Sequence, residues 1–383
     1  MKVVFVSHVS NKYGAGRSLL CLIDGLLQKG VECYVIMPRC GPMVEELKNR
    51  GIKYGVLPFK NWTSIGRMTL RQILRNGWSL FMSLIIAIKA YFWKVDIIYT
   101  NSSVTPVGAF VSFLLKKPHI WHIREFVEEH YGLSFSLGKL FTMKLIKQLS
   151  FRVIVISEAL RQKYSQYIPA QKLKMVYNPV SITNKVSGNS KIKHNPGVPM
   201  IPTLLIVGCV YPSKGQIDAV LAVADIVRQG IQVKLKIVGD TVPEYLEQLK
   251  QIVVKNEIDR QVEFIKYTDN IASLYNSADI ILVCSRWEAF GRTTVEGMLF
   301  KKPVIGALSG ATPELIKENF NGLLYEAGNH RELAEKIKYL IKHTERAKQM
   351  GKNGFKEASE KYTIEKSTNQ VYKIFQEAIE NKK

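Results

Sequence analysis

"SRWEAFGRTTVEGM", Ser285 to Met298, sets two carboxylates, Glu288 and Glu296, eight positions apart around Phe290-Gly291. The stretch follows DIILVC, an apolar run that reads as a strand, and leads into a helix starting near Thr293. It therefore occupies the carboxyl end of a strand, where open α/β sheets bind their ligands. Either the two acids belong to one active site, or one is a helix cap and the other a surface charge. Thr293-Thr294-Val295-Glu296 fits a capping box, with Thr293 as N-cap and Glu296 at the third helical position. That reading explains one acid. It does not explain Arg286-Trp287-Glu288 or the tight Phe290-Gly291-Arg292 turn. A helix N-terminus presents free N–H groups to an anion, and Gly291 lets the backbone come close to one.

The same alternation extends in both directions. KVVFVS, VECYVIM, IKYGVLP, DIIYT, PHIWHI and RVIVIS read as strands, with helices near 16–29, 42–50, 68–92, 105–116, 136–149 and 158–166. Residues 181–202, rich in Pro, Asn, Ser, Gly and Lys, read as a linker. Beyond it TLLIVGCV, VKLKIVG, VEFI, DIILVCS and PVIGA are strands, with helices near 215–229, 243–255, 292–301, 329–342 and 345–359. A last helix near 364–381 follows a Lys361-Tyr362-Thr363 break. The expected class is α/β, two Rossmann-like doubly wound parallel-sheet domains. The boundaries are 1–180, 203–360 and a C-terminal helix within 361–383, a candidate for packing back on the N-terminal domain. The crevice between two such sheets is the default ligand site.

With 383 residues, 46% hydrophobic and 22% charged, the composition is that of a soluble globular protein with sizeable cores. Met1 to Ser7 reads as a buried first strand rather than a signal peptide. Five cysteines without C-x-x-C spacing argue against a disulfide framework or a zinc site, and for a reducing cytoplasm. Residues 1–195 hold 28 basic and 9 acidic side chains, the remainder 26 and 23, so the excess of +22 sits in the first half. That half is expected to meet an anionic surface or substrate. Residues 71–93 are apolar, but the uncharged run 77–88 falls short of the about 20 residues needed to cross a bilayer. A buried helix is one reading. The other is a surface dipping into a bilayer, with Trp78, Phe81, Tyr91, Phe92 and Trp93 near Arg67, Arg71, Arg75, Lys89 and Lys94, and the two can coexist on different faces of one helix. The basic residues of the first half are scattered and match no nucleic-acid-binding motif, so no nucleic-acid partner is expected.

Glu288 and Glu296, with FGRTTVEGM, resemble the E-x7-E signature of glycosyltransferase family 4, retaining enzymes of GT-B architecture. Other segments agree in order. VGCVYPSKGQ, 207–216, resembles the family's strand-loop-helix; Lys214-Gly215 is present, but Cys209 stands where the family has Arg. HVSNKYGAGRSLL, 8–20, resembles its Gly-rich loop, with Gly14 and Gly16 permitting approach to phosphate. Leu19 replaces the third glycine of a dinucleotide fingerprint. IWHIREF, 120–126, resembles its first-domain motif, and ALSGATPELI, 307–316, its Gly-rich loop before a helix.

The resemblance implies two domains facing across a cleft and transfer of a sugar from a nucleoside-diphosphate sugar to a lipid-linked or polysaccharide acceptor. His122, Lys214 and Glu288 become the catalytic candidates. Gly14, Gly16, Arg286, Phe290, Gly291, Arg292, Thr293 and Glu296 become donor-binding ones, and Arg17, Arg124 and Glu125 acceptor-side ones. Glu296 is expected to bond ribose hydroxyls and Glu288 the transferred sugar. No D-x-D triplet occurs, so neither a metal nor another cofactor is expected. The basic first half suits a phosphorylated carrier lipid at an anionic membrane, in a cytoplasmic protein peripheral to the inner face of the cell membrane. Alternatives are a nucleotide-sugar epimerase of the same architecture, a phosphorylase, or a non-catalytic binder of sugar nucleotides or polyanions.

Overall fold

The computed structural model describes residues 1–65, 69–181, 201–268 and 270–381. The expected linker lies almost wholly outside them, as does Arg67. The chain divides into two compact units, Met1–Val180 with Tyr362–Lys383, and Ser181–Lys361.

In the first unit the strands are β1 (Lys2–Val6), β2 (Glu32–Met37), β3 (Lys53–Val56), β4 (Thr63–Ser64), β5 (Ile97–Thr100), β6 (His119–Ile123), β7 (Ser134–Phe135), β8 (Arg152–Val155) and β9 (Leu173–Met175). Seven of them form a parallel sheet in the order β3-β2-β1-β5-β6-β8-β9, while β4 and β7 pair antiparallel as a short ribbon. The helices are α1 (Gly14–Gln28), α2 (Met43–Asn49), α3 (Leu70–Phe92), α4 (Val107–Leu115), α5 (Val127–Tyr131), α6 (Lys139–Leu149) and α7 (Glu158–Ser165).

The second unit holds β10 (Thr203–Val207), α8 (Gln216–Arg228), β11 (Lys234–Val238), α9 (Pro243–Lys255), β12 (Val262–Ile265), α10 (Ile271–Ser277), β13 (Ile280–Val283), α11 (Arg292–Leu299), β14 (Val304–Ala307), α12 (Thr312–Leu315), β15 (Gly322–Tyr325), α13 (His330–Lys342) and α14 (Thr344–Lys361). Its six strands are parallel in the order β12-β11-β10-β13-β14-β15. In both sheets the strand order reverses once, between β1 and β5 and between β10 and β13, with all strands parallel. Loops leaving the carboxyl ends of these strands border the crevice that such a switch opens.

The strands are continuous apolar runs because helices cover both faces of each sheet. On one face of the first sheet, Leu19, Ile23 and Leu26 of α1 pack with Val371, Ile374 and Phe375 of the last helix, α15 (Ile364–Glu380). Gly25 permits this approach: a Cβ there would lie 2.1 Å from Thr368 Oγ1. On the other face, Met82 and Ile86 of α3 pack with Val107 and Val111 of α4.

His119, at the start of β6, is fully enclosed. Its Nδ1 faces the Leu149 carbonyl at 3.2 Å and its Nε2 the Thr100 hydroxyl at 2.7 Å. Burial pushes its pKa down to about 3. The folded chain therefore resists a proton that the unfolded chain accepts near pH 6.5. Stability is full above that pH and falls below it, by about 1.4 kcal/mol per pH unit for such a histidine. Urea midpoints measured from pH 7 to 5 are expected to drop along this slope. His119→Gln is expected to remove one histidine's share of the slope and leave those of His8 and His122, whose pKa values burial also lowers, whatever it costs at neutral pH.

Candidate functional site

In the second unit, the loop after β10 and the loop after β13 meet at the switch point. Pro212–Lys214 forms a single 3-10 turn, and Gly215 (φ +65°) then starts α8. A Cβ on Gly215 would fall 2.0 Å from the Cys284 carbonyl oxygen, so only glycine fits between the two loops. The Arg286 amide donates to the Ser213 carbonyl at 2.8 Å. From the other side the Ala311 amide donates to the Glu288 carbonyl at 2.8 Å, and the Ser309 hydroxyl donates to the Arg286 carbonyl. Gly310 (φ +53°) lies so close that a Cβ would meet the Glu288 carbonyl oxygen at 2.3 Å. The Ser285–Gly291 segment is thus clamped by two neighbouring loops.

This clamp presents the predicted residues in a definite order. Lys214 Nζ lies 3.0 Å from Glu288 Oε2, both partly buried, an ion pair that the sequence reading did not anticipate. Phe290 is buried beneath the loop. Gly291, at φ +97°, is the N-cap of α11, and no side chain caps the helix. That corrects the capping box: the helix starts at Arg292, so Thr293 lies inside its first turn. Glu296 does not reach back to a cap. It is buried, accepting from the Tyr275 hydroxyl at 2.9 Å and from Arg292 at 3.3 Å. Tyr275 is held by stacking on Phe300, with centroids 5.0 Å apart.

Arg286 also has a partner that the motif did not reveal. Its guanidinium bonds Asp218 Oδ1 at 2.8 Å, and Asp218 Oδ2 accepts from the Tyr325 hydroxyl and the Gly328 amide, both at 3.0 Å. Cys284 beside them is enclosed, and burial pushes its thiol up to about 12, so it stays protonated. Cys209, in the place of the family's Arg, is exposed. Among the described residues, no three His, Cys, Asp or Glu side chains gather as a metal site.

In the first unit, β6 ends in the expected His122-Ile123-Arg124-Glu125. His122 is buried. The Tyr99 hydroxyl and an Arg124 nitrogen, at 3.2 Å, both face its Nδ1. A guanidinium only donates, so Nδ1 accepts and the ring proton resides on Nε2. Burial, aided by the Arg124 charge, holds the imidazole neutral far below its usual pKa. Nε2 is buried without a hydrogen-bond partner. The ring is a fixed neutral donor with an unspent N–H.

Arg124 and Glu125, expected on the acceptor side, are both turned inward. Arg124 bonds Asn101 Oδ1 at 2.6 Å and also Asn178 Oδ1. Glu125 Oε1 accepts from the Ser102 hydroxyl at 2.8 Å and from the Ser103 amide and hydroxyl at 2.6 Å each. Their charges knit the loop after β5 to the end of β6, and an Arg124 nitrogen faces the His122 ring.

Gly16 has a packing reason too: a Cβ would sit 2.1 Å from the Asn11 carbonyl oxygen. Gly14 opens α1 with nothing near its Cβ position, and Tyr13, the N-cap, makes no side-chain cap. Arg17 is half-buried in the same helix.

Residues 13–184 match the family described as Glycosyltransferase Family 4, and residues 190–357 match Glycosyl transferases group 1. An uncharacterised glycosyltransferase of Methanocaldococcus jannaschii is 30% identical over 287 residues, 74% of this chain and 76% of that one. A Campylobacter jejuni α-1,4-N-acetyl-D-galactosaminyltransferase, named for a PP-undecaprenol glycan, is 22% identical over 350 residues, 89% of each chain. Among solved structures, HepE of Anabaena in complex with UDP and glucose superposes with a TM-score of 0.81 at 24% identity, over 98% of this chain and 100% of its own. The fold is GT-B, and the chain belongs to the group 1 and family 4 glycosyltransferases.

Proposed function

We propose that the enzyme moves a sugar from a nucleoside-diphosphate sugar to a lipid-linked glycan, with retention at the anomeric carbon and without a metal ion. The observation that carries this reading is the Lys214–Glu288 pair at the uncapped N-terminus of α11. Cleaving a sugar–diphosphate bond gathers negative charge on the leaving phosphate, and donors fixed in advance at that point are the main catalytic resource. An ammonium and a helix N-terminus supply positive potential there, the work a bridging metal does elsewhere. Glu288 beside them accepts hydroxyls of the transferred sugar. Glu296 accepts from the ribose hydroxyls as well, since a carboxylate offers about four lone-pair sites and Tyr275 and Arg292 each donate to one. The Nε2–H of His122 is a neutral donor suited to a sugar hydroxyl.

UDP is the first nucleotide to try, since HepE was solved with it. A lipid-linked acceptor is supported by the name of the Campylobacter relative and by the basic first half of the chain. The same charge supports peripheral attachment to the cytoplasmic face of the cell membrane.

The test is turnover of a panel of nucleoside-diphosphate sugars on a lipid-diphosphate glycan, with and without EDTA, and NMR of the product anomer. Expected are a nucleoside diphosphate released at the same rate in chelator and a linkage of the donor's own configuration. A strict Mn²⁺ or Mg²⁺ requirement, or an inverted linkage, overturns the respective part.

A further inference from the structure

We propose that α3, α4 and α6 together form a face that inserts in the plane of an anionic phospholipid bilayer. The inference rests on the membrane-borne acceptor proposed above for its purpose, and on the helices themselves for its evidence. Its uncharged run is short, but at 23 residues α3 as a whole is long and apolar enough, by length and composition, to cross a bilayer. Its packing shows a different use. Ser79, Met82, Ser83, Ile86 and Ala90 form a buried stripe against the unit's core. A second stripe, on one side of the helix, faces outward: Ile73, Leu74, Leu80, Phe81, Leu84, Ile88. Leu74 is 66% exposed and Phe92, at the helix end, 75%. A water-facing helix carries charges on that side.

The neighbours continue the pattern. α3 packs on α4, and α4 on α6. Phe113 of α4 is 69% exposed and Leu140 of α6 is 74%. Single exposed apolar side chains are ordinary, but a patch running across three adjacent helices marks an interaction surface.

Charge selects the occupant. None of the three helices contains an Asp or Glu, and between Glu46 and Glu125 the sole acid is Asp96. Arg71, Lys94, Lys116, Lys144 and Lys147 are exposed along and beside the face. A second copy docked face to face would bring these like charges together. Anionic headgroups bind them while the apolar stripe enters the acyl boundary, the arrangement of in-plane amphipathic helices.

The experiment is flotation of the full chain, without sugar donor, on vesicles of phosphatidylcholine alone or with about a third phosphatidylglycerol. Wild type is expected to float on the anionic vesicles and far less on the neutral ones. Leu74→Ser/Phe81→Ser/Phe92→Ser, all at exposed positions, is expected to lower partitioning about thirtyfold or more. Arg71→Gln/Lys144→Gln/Lys147→Gln is expected to lower it roughly fivefold per charge at low salt. Lys250→Gln/Lys255→Gln on α9 is the control and floats as wild type. Brominated lipid is expected to quench Trp78 only when the stripe is intact.

Flotation of the apolar variant equal to wild type overturns the proposal. So does a dimer in solution that this variant dissolves, which assigns the face to a second copy. Donor hydrolysis in detergent-free buffer is read separately, so a membrane failure and a glycosyltransferase failure are told apart.

Discussion

Lys214→Ala is expected to lower kcat by about 10²- to 10³-fold, with a small change in KM and an intact fold. The ammonium sits on a 3-10 turn that leaves β10 at the switch point, held 3.0 Å from Glu288. In the proposed reaction its charge is matched to the leaving diphosphate, which is more negative in the transition state than in the bound donor. Interactions that strengthen on the way to the transition state appear in kcat, whereas uniform binding appears in KM. Stability separates the two outcomes further. Side-chain exposures of 25% and 15% leave the pair partly solvated, so its contribution to folding is at most about 1 kcal/mol. A melting temperature near wild type with a collapsed kcat identifies a catalytic charge; a raised KM with unchanged kcat identifies a mere binding contact and rejects the role. Lys214→Arg is expected to recover little, because the planar fork differs in shape and reach from a point charge. Glu288→Gln tests the other partner. It removes the carboxylate that pairs with the ammonium and is expected to weaken the transferred-sugar contacts, raising KM and lowering kcat together.

Much of this was legible in the chain. Parallel strands buried on both faces are continuous apolar runs, so the main strands of both sheets stand out as such. Two do not: Leu173–Met175 is three residues long with a lysine at its centre, and Gly322–Tyr325 opens on a glycine. Helices Ile271–Ser277 and Thr312–Leu315, of seven and four residues, are too short to show a period. The motifs located Lys214, Glu288 and Glu296 because each lies on a loop or helix start whose glycines are needed for backbone approach. The partners of those residues come from distant strands and helices. Tyr99, Asp218 and Tyr275 carry no local pattern, so their pairings exist only in three dimensions. The capping box failed on this point. Thr293-x-x-Glu296 has the right letters, but Gly291 in the left-handed region begins the helix two residues earlier than Thr293 would, and Tyr275 takes the carboxylate. The sequence offered both faces of Leu70–Phe92, and Trp78, Phe81, Tyr91 and Phe92, named for the outer one, are exposed; the buried stripe opposite took packing to define.

Asp218 is the residue whose removal is expected to cost most in stability. Its side chain is 3% exposed and accepts three hydrogen bonds, from Arg286, Tyr325 and Gly328. Burial, with the nearby Cys284 and Asp218, drives the Tyr325 hydroxyl well above its ordinary pKa, so it remains a donor that needs this acceptor. Asp218→Ala leaves one cation, one hydroxyl and one amide facing a small void. The cost of stranding a buried partner is about 3 to 5 kcal/mol. Asp218→Asn keeps the volume but turns an NH₂ toward groups that all donate, so it is expected to recover only part of the loss. Arg286→Ala is expected to be milder: the guanidinium is 34% exposed and its loss leaves the carboxylate with two donors. Gly328→Ala attacks the same cluster from the third side, since a Cβ at φ +97° would sit 2.5 Å from the Arg286 guanidinium. Urea midpoints of Asp218→Ala, Arg286→Ala and the double variant form a cycle. Strong non-additivity is expected, because once the carboxylate is gone the arginine has little left to lose. Additive losses, or an Asp218→Ala cost below about 1 kcal/mol, would show that the three donors find water instead. The clamp on the Ser285–Gly291 loop would then depend on Ser213, Ser309 and Ala311 alone.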